Sequence, residues 1–218
     1  SHRNGFIFGI MPFTGKPNPE SQPVSKWDPE IEILTPHYYS EWLEDYNTTI
    51  EFTPSKKAGY FRIKFPDSEE KGISLKIMNK GKWEMISNTA ISGEETFSEM
   101  KAWVYAEVSQ PFSFAAGKNN QGFLSWESSA SNTIEFKYAI SFISLEQAKQ
   151  NLNDEIAKLS FDVVKARAEA AWDNILNRIE VKGGTEARKR TFYTALYRSY
   201  ERMIDINENG KYYSNYDQ

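Results

Sequence analysis

Residues that could move a proton or hold a metal are the first to place in this chain. There are 218 residues, with two histidines, His2 and His37, and no cysteine. The histidines are far apart and sit in no metal-ligand spacing, which argues against an imidazole metal centre and a Ser-His-Asp triad. The absence of cysteine excludes disulfides and thiolate-held metals. Carboxylates remain. Hydrolysis of a sugar linkage needs an acid and a base set apart across the bond. The close pairs are Asp28 with Glu30, Glu41 with Glu44, and Glu94 with Glu95. None can be placed in a cleft from sequence, and each is read first as a solvated loop or strand edge. Asp205-Ile206-Asn207-Glu208-Asn209-Gly210 matches the first half of a calcium-binding EF-hand loop. Its twelfth position is Tyr216 instead of the bidentate Glu, so a turn is the expected reading.

Aromatic residues make up 15% of the chain. Flat rings can stack on the apolar face of a pyranose or simply fill a β core, and rings in strands favour the core. Trp103 and Trp126 lie in strand-like segments and are expected there. Trp27 and Trp83 lie in or beside loops and are the candidate substrate-binding platforms, with Trp42 a further exposed-ring candidate. Asn47-Thr48-Thr49 fits a glycosylation acceptor and equally a polar turn. The net charge is −4, and the basic runs Lys56-Lys57 and Arg188-Lys189-Arg190 are short. Nothing here makes a nucleic-acid footprint. No apolar run is long enough to cross a membrane. No glycine-rich phosphate loop, GxSxG elbow or internal repeat is present.

These side chains must be positioned by two kinds of element. The first two-thirds reads as strands. Gly5–Met11 is an apolar run ended by Pro12, and Lys16–Pro36 holds five prolines and reads as an extended loop. His37–Leu43 and Thr48–Thr53 are predicted strands joined by a turn at Glu44–Asn47. Ala58–Phe65 and Ile73–Met78 alternate, and Asn79–Lys82 is predicted to be a hairpin turn. Lys101–Gln110 is apolar on both faces, as in a central strand covered on both sides. In Thr133–Ser144, every second position from Ile134 through Phe142 is large and apolar without a break, which puts five side chains on one face. Antiparallel sheets packed face to face follow from this spacing.

The period then changes. Ser144 and Gln147 fit a capping box opening a short helix to about Leu152. A longer helix is predicted after Ser160, with Val164, Ala168, Ala171, Trp172, Ile175 and Ile179 on one stripe. Gly183-Gly184 ends it, and Thr185 caps a third helix whose predicted stripe is Phe192, Ala195, Leu196, Ser199 and Met203. That stripe has no partner within the sequence, so the chain reads as a piece of a longer protein.

Three segments taken together resemble glycoside hydrolase family 92. The first is Asn4 to Gly15, similar to the family's glycine-flanked strand ending in a Met-Pro-x-Thr-Gly turn. The second runs from Pro36-His37-Tyr38-Tyr39-Ser40 through Ala58-Gly59-Tyr60-Phe61-Arg62-Ile63-Lys64-Phe65-Pro66. The third joins Ile140–Ser144, Ala170-Ala171-Trp172, Ile179–Thr185 and Arg190–Tyr197. The resemblance covers most of the chain in order. It implies a mainly β fold: an antiparallel β-sandwich over residues 1–144, a helical linker over 145–184, and over 185–218 the start of an (α/α)-barrel catalytic domain. It further implies an exo-acting, inverting, calcium-dependent α-mannosidase as the parent enzyme, exported to the periplasm, cell surface or medium. The expected partners are that helical catalytic domain and mannose-containing glycans. The family's glycine- and histidine-rich opening would precede Ser1. The acid, the base and the calcium ligands would follow Gln218. The resemblance therefore carries no catalytic or metal-ligating residue into this chain.

Overall fold

The unbroken alternation of Ile134, Phe136, Tyr138 and Ile140 does form a strand, Thr133–Ser141, and all four side chains join one apolar core. The computed structural model describes residues 8–67, 70–97, 100–200, 205 and 207–212. In chain order its strands are β1 (Phe8–Thr14), β2 (Ile33–Thr35), β3 (Tyr38–Leu43), β4 (Thr48–Pro54), β5 (Ala58–Lys64), β6 (Glu70–Ile77), β7 (Lys80–Ser87), β8 (Ala90–Phe97), β9 (Met100–Val108), β10 (Ser113–Ala116), β11 (Gln121–Glu127) and β12 (Thr133–Ser141). Three helices follow: α1 (Leu145–Glu155), α2 (Phe161–Leu176) and α3 (Glu186–Ser199). No described helix is long and apolar enough to cross a membrane.

The strands form two antiparallel sheets. One has eight strands in the order β2-β3-β4-β5-β12-β9-β8-β7, and the other has four in the order β1-β6-β11-β10. Their facing sides share one core. Ile73, Leu75, Ile77 and Leu124 of the small sheet meet Ile50, Ile63, Val104, Ile134 and Phe136 of the large one. This is the predicted sandwich. The outer face of the large sheet carries a second core, where Tyr38, Tyr60, Tyr105 and Ala139 pack under Ala148 and Leu152 of α1 and Phe161 and Val164 of α2. Double coverage explains β9: Val104 and Ala106 face the other sheet while Tyr105 lies under the helices.

Several expectations are corrected. The first strand runs through Pro12 to Thr14, and residues 5–7 lie outside the described part. Pro12 is tolerated because β1 is an edge strand, with β6 on its only paired side. Asn79–Lys82 is not a hairpin turn: β6 and β7 belong to different sheets, so the chain crosses the sandwich there. β7 and β8 form the hairpin instead, and Trp83 lies inside β7. The turn after β3 is a 3-10 turn at Glu44–Tyr46, closed by Asn47 in the left-handed region at φ 45°.

Ser144 caps α1 as its sequence requires, its side chain accepting from Gln147 N at 3.1 Å. Thr185 does the same for Arg188 N at 3.3 Å, after Gly183 and Gly184 turn the chain with φ 78° each. α3 differs from its predicted stripe. Phe192, Ala195 and Ser199 are exposed, while Tyr193, Leu196, Tyr197 and Tyr200 are half-buried. Trp172 of α2 decides this, since its ring meets Tyr197 edge-on at 5.0 Å and Tyr200 at 6.5 Å. Met203 lies outside the described residues.

Candidate functional site

The sequence-picked rings separate on exposure. Trp27 bridges to Leu43, the last residue of β3, and is 45% exposed. Trp83 is 7% exposed and is not a surface platform. It sits in the space left by two glycines: a Cβ at Gly93 would stand 2.8 Å from the ring and one at Gly122 3.2 Å. Phe8 closes the pocket edge-on at 5.6 Å. Trp126 is core as predicted, against Phe112, and half-buried Trp103 packs against the outer core. Trp42 is partly exposed and donates Nε1–H to Asn47 Oδ1 at 3.1 Å.

The carboxylate pairs do not assemble across a cleft. Asp28 closes a local turn by accepting from Glu30 N, Glu41 accepts from Tyr39, and Glu94 pairs with Lys101 at 3.2 Å. Glu95 is buried and accepts from Asn79 N, and burial raises its pKa against those bonds. Among the described residues, no group of three or more His, Asp or Glu side chains could hold a metal ion. A calcium ion therefore does not fit the residues described.

The polar chemistry of this chain gathers instead at the seam between the large sheet and the helices, in side chains that sequence reading missed. Glu51 of β4, buried on the outer face, accepts a forked pair from Arg62 of β5: Nε to Oε2 at 2.8 Å and Nη2 to Oε1 at 2.9 Å. Tyr38 donates its hydroxyl to Oε1 at 2.8 Å, and Lys64 stands 3.0 Å from Oε2. Burial alone would push the Glu51 carboxyl up, but bonds from Arg62, Tyr38 and Lys64 outweigh it and hold the group down to about 2. Arg62 also reaches Asp162 at 3.2 Å, and its guanidinium lies 4.2 Å from the centre of the Phe161 ring. Lys165 lies over the Tyr38 ring at 3.3 Å. The first turn of α2 is thus bolted to β3, β4 and β5.

Beyond that turn α2 lifts away and leaves an apolar groove of about 320 Å³. Val164, Ala168, Ala171, Trp172 and Ile175 line one side, and Pro54, Ile156 and Leu159 the other. The predicted stripe of α2 therefore exists from Val164 to Ile175, of which only Val164 is buried; Ile179 lies beyond the helix, which ends at Leu176, well before Gly183-Gly184. The signal for the seam lay in alternation: Glu51, Arg62 and Lys64 sit at outward positions of strands whose outward face turned out to be covered.

The EF-hand-like stretch resolves into a small hairpin. Glu208 and Lys211 exchange backbone bonds at 2.7 and 3.0 Å around Asn209 and Gly210, both with positive φ. Residues 206 and 213–218 lie outside the described part, and with them Tyr216. Glu208 is buried against the sandwich, where its carboxylate bonds Phe142 N and Asn151 Nδ2.

These elements define a class: an antiparallel β-sandwich whose last strand feeds, through two helices packed on its outer face, into the opening of a helical layer. Two family models match in that order, the glycosyl hydrolase family 92 N-terminal domain over residues 4–141 and the family 92 catalytic domain over residues 147–218. The chain belongs to glycosyl hydrolase family 92. A solved inverting mannosidase of family GH92 from Bacteroides thetaiotaomicron superposes with a TM-score of 0.85 at 24% identity, over 96% of this chain and 32% of that one. A family GH92 α-mannosidase from the same organism gives 0.82 at 23%, over 93% and 32%. These likenesses show the shared fold. An uncharacterized secreted glycosidase of Arthroderma benhamiae is 37% identical over 70 residues, 30% of this chain and 9% of that protein. The chain thus spans about a third of the length of the solved structures it matches.

Proposed function

We propose that this chain is the N-terminal sandwich, residues 1–144, with the helical linker, 145–184, and the opening of the catalytic domain, 185–218, of an exported exo-acting α-mannosidase. The order of the family 92 matches supports the sequence of parts in this reading, and the catalytic-domain match begins at residue 147, inside the proposed linker. The inverting mannosidase among the similar structures supports the reaction class. The secreted glycosidase relative supports export.

In this reading the enzyme removes a terminal mannose by direct attack of water. A carboxylic acid protonates the leaving oxygen, and a carboxylate base on the opposite face of the sugar takes the proton of the water. Neither group is assigned here. Glu51 is tied to a guanidinium, Glu95 lies buried in the sheet, and Glu208 plugs the seam. Calcium and its ligands are likewise assigned to the remainder of the enzyme. What this chain's residues do is build the sandwich and present α3 beside α2. α3 buries no residue and leaves Phe192 exposed, as expected for the first helix of a larger helical layer.

The test compares this 218-residue chain with the protein carrying the rest of its reading frame, on α-linked mannosides. The longer protein should release mannose, with the β anomer appearing first by proton NMR, and the chain alone should show no turnover. Clear hydrolysis by the chain alone would overturn the assignment of acid and base to other residues, and an α product would overturn inversion. A second reading, a glycan-binding sandwich, rests on the exposure of Trp27. Calorimetry against mannose oligosaccharides tests it, with binding lost in Trp27→Ala as its expected result.

A further inference from the structure

At the corner where β12 ends and α1 begins, three successive backbone N–H groups leave the sheet. Two are satisfied locally: the N–H groups of Ile143 and Ser144 donate to Ser141 Oγ at 2.9 and 3.3 Å. The third, Phe142 N–H, has no strand partner and donates instead to Glu208 Oε1 at 2.9 Å, across 66 positions of sequence. The other oxygen of Glu208 accepts from Asn151 Nδ2 at 2.9 Å, and that same amide holds Ile140 O at 2.9 Å. Gln147 donates to Asn151 Oδ1 at 2.8 Å and fixes which way the amide points. Glu208 is 3% exposed, and among the described residues no lysine or arginine pairs with it. A buried carboxylate needs hydrogen bonds to both oxygens, and here each oxygen has one.

What they hold is the hairpin that follows α3 in sequence. α3 buries no residue of its own. Its bonds outside itself run to the loop before it, where Tyr193 hydroxyl meets Ile179 O and Val181 N, and its rings meet Trp172 of α2. Further along the chain than α3, the Asn209-Gly210 hairpin, closed by Asn207 Oδ1 accepting from Gly210 N at 3.0 Å, sets Glu208 into the corner.

We infer that Glu208 is a positioning residue and its hairpin a latch, which fixes the opening of the helical catalytic domain against the corner where the sandwich ends. The functional half of this inference rests on the α-mannosidase reading above; the latch itself does not. The carboxylate is needed because its two oxygens serve two elements at once, the strand end and α1. The substitution Glu208→Gln would keep one acceptor and turn an N–H₂ toward the Asn151 amide, and Glu208→Ala would keep neither acceptor.

The experiment uses the full-length enzyme with Glu208→Gln and Glu208→Ala. Amide hydrogen exchange is read on the peptides holding Phe142 and Asn207–Lys211, with β9 and β12 as internal reference. Glu208→Ala should speed exchange at the latch by roughly tenfold or more, with less than about twofold change in β9 and β12. Glu208→Gln should fall between. Mannosidase kcat/KM should decline in the same order, wild type above the glutamine variant and that above the alanine variant. Unchanged exchange at Phe142 overturns the latch, as does a loss of protection spread evenly through β9 and β12. An open latch with unaltered kcat/KM overturns the positioning role. A wild-type enzyme inert on mannosides sinks the mannosidase reading alone, because the exchange result needs no substrate.

Discussion

Replacing Arg62 with methionine should destabilise the fold by about 1–3 kcal/mol at neutral pH, and the loss should shrink in acid. The magnitude comes from Glu51. Its carboxyl is held at about 2 against an ordinary 4.5, and at about 1.36 kcal/mol per unit that difference corresponds to roughly 3 kcal/mol of stability. Glu51's side chain is 7% exposed, so solvent screens little of it. Asp162, the other partner of Arg62, is 77% exposed and adds at most about 1 kcal/mol. Tyr38 and Lys64 stay in place and retain part of the Glu51 interaction, while methionine keeps some packing on Phe161. The sign follows from a lowered folded pKa. The unfolded chain binds the extra proton between about pH 4.5 and 2, so this stabilisation is complete above that window and disappears as pH falls through it. Urea unfolding followed by tryptophan fluorescence, from about pH 7 down to about pH 3, measures both variants. The gap between wild type and Arg62→Met should be widest at neutral pH and should close toward the acid end. A gap below about 1 kcal/mol at neutral pH, or one that stays constant down to about pH 3, refutes the account of the seam.

Other substitutions separate core from surface. Trp83→Ala should lose about 3–5 kcal/mol, because it empties a buried ring site, and should leave any glycan affinity unaltered when measured on the protein still folded. Trp27→Ala, at an exposed ring, should change unfolding free energy by less than about 1 kcal/mol in the same urea experiment. Ser144→Ala removes the acceptor for Gln147 N and should cost about 1 kcal/mol, read as a lowered urea midpoint with an unchanged slope.

The sandwich was legible wherever local pattern and tertiary burial agree. β12 alternates without interruption because one of its faces is wholly apolar, and Ser144 announced the change to helix because capping is a local hydrogen bond. β7 and β8 were not legible. β7 is an edge strand with Lys82, Glu84 and Met85 exposed, so its alternation is weak and its pairing with β8 decides its structure. β10 and β11 were missed as well. Trp83 looked like a loop ring because Asn79–Lys82 carries turn residues. The crossing from one sheet to the other that those residues make depends on partners far away in sequence. The family resemblance and the order of sandwich then helices were visible in motifs. The seam was not, since Glu51, Arg62 and Asp162 read as three unrelated surface charges until α2 covers the sheet. Glu208 was noticed for the wrong chemistry: the spacing that suggested a cation loop makes a two-residue turn.

The strand order also sets a timetable for folding. Most of the large sheet grows from neighbours in sequence: β3, β4 and β5 form one run of hairpins and β7, β8 and β9 another, and β12 later joins the two runs. The small sheet has one local hairpin, β10 with β11, and its central strand β6 pairs β1 on one side and β11 on the other. Phe8 must find Ile77, and Gln121 must find Lys76. Contacts so distant along the chain form late, since loop closure has to be met before they stabilise anything. β1, the first described strand to leave the ribosome, therefore waits as an unpaired apolar ribbon until β6 exists. During synthesis, this is the stretch that chaperones have most reason to shield.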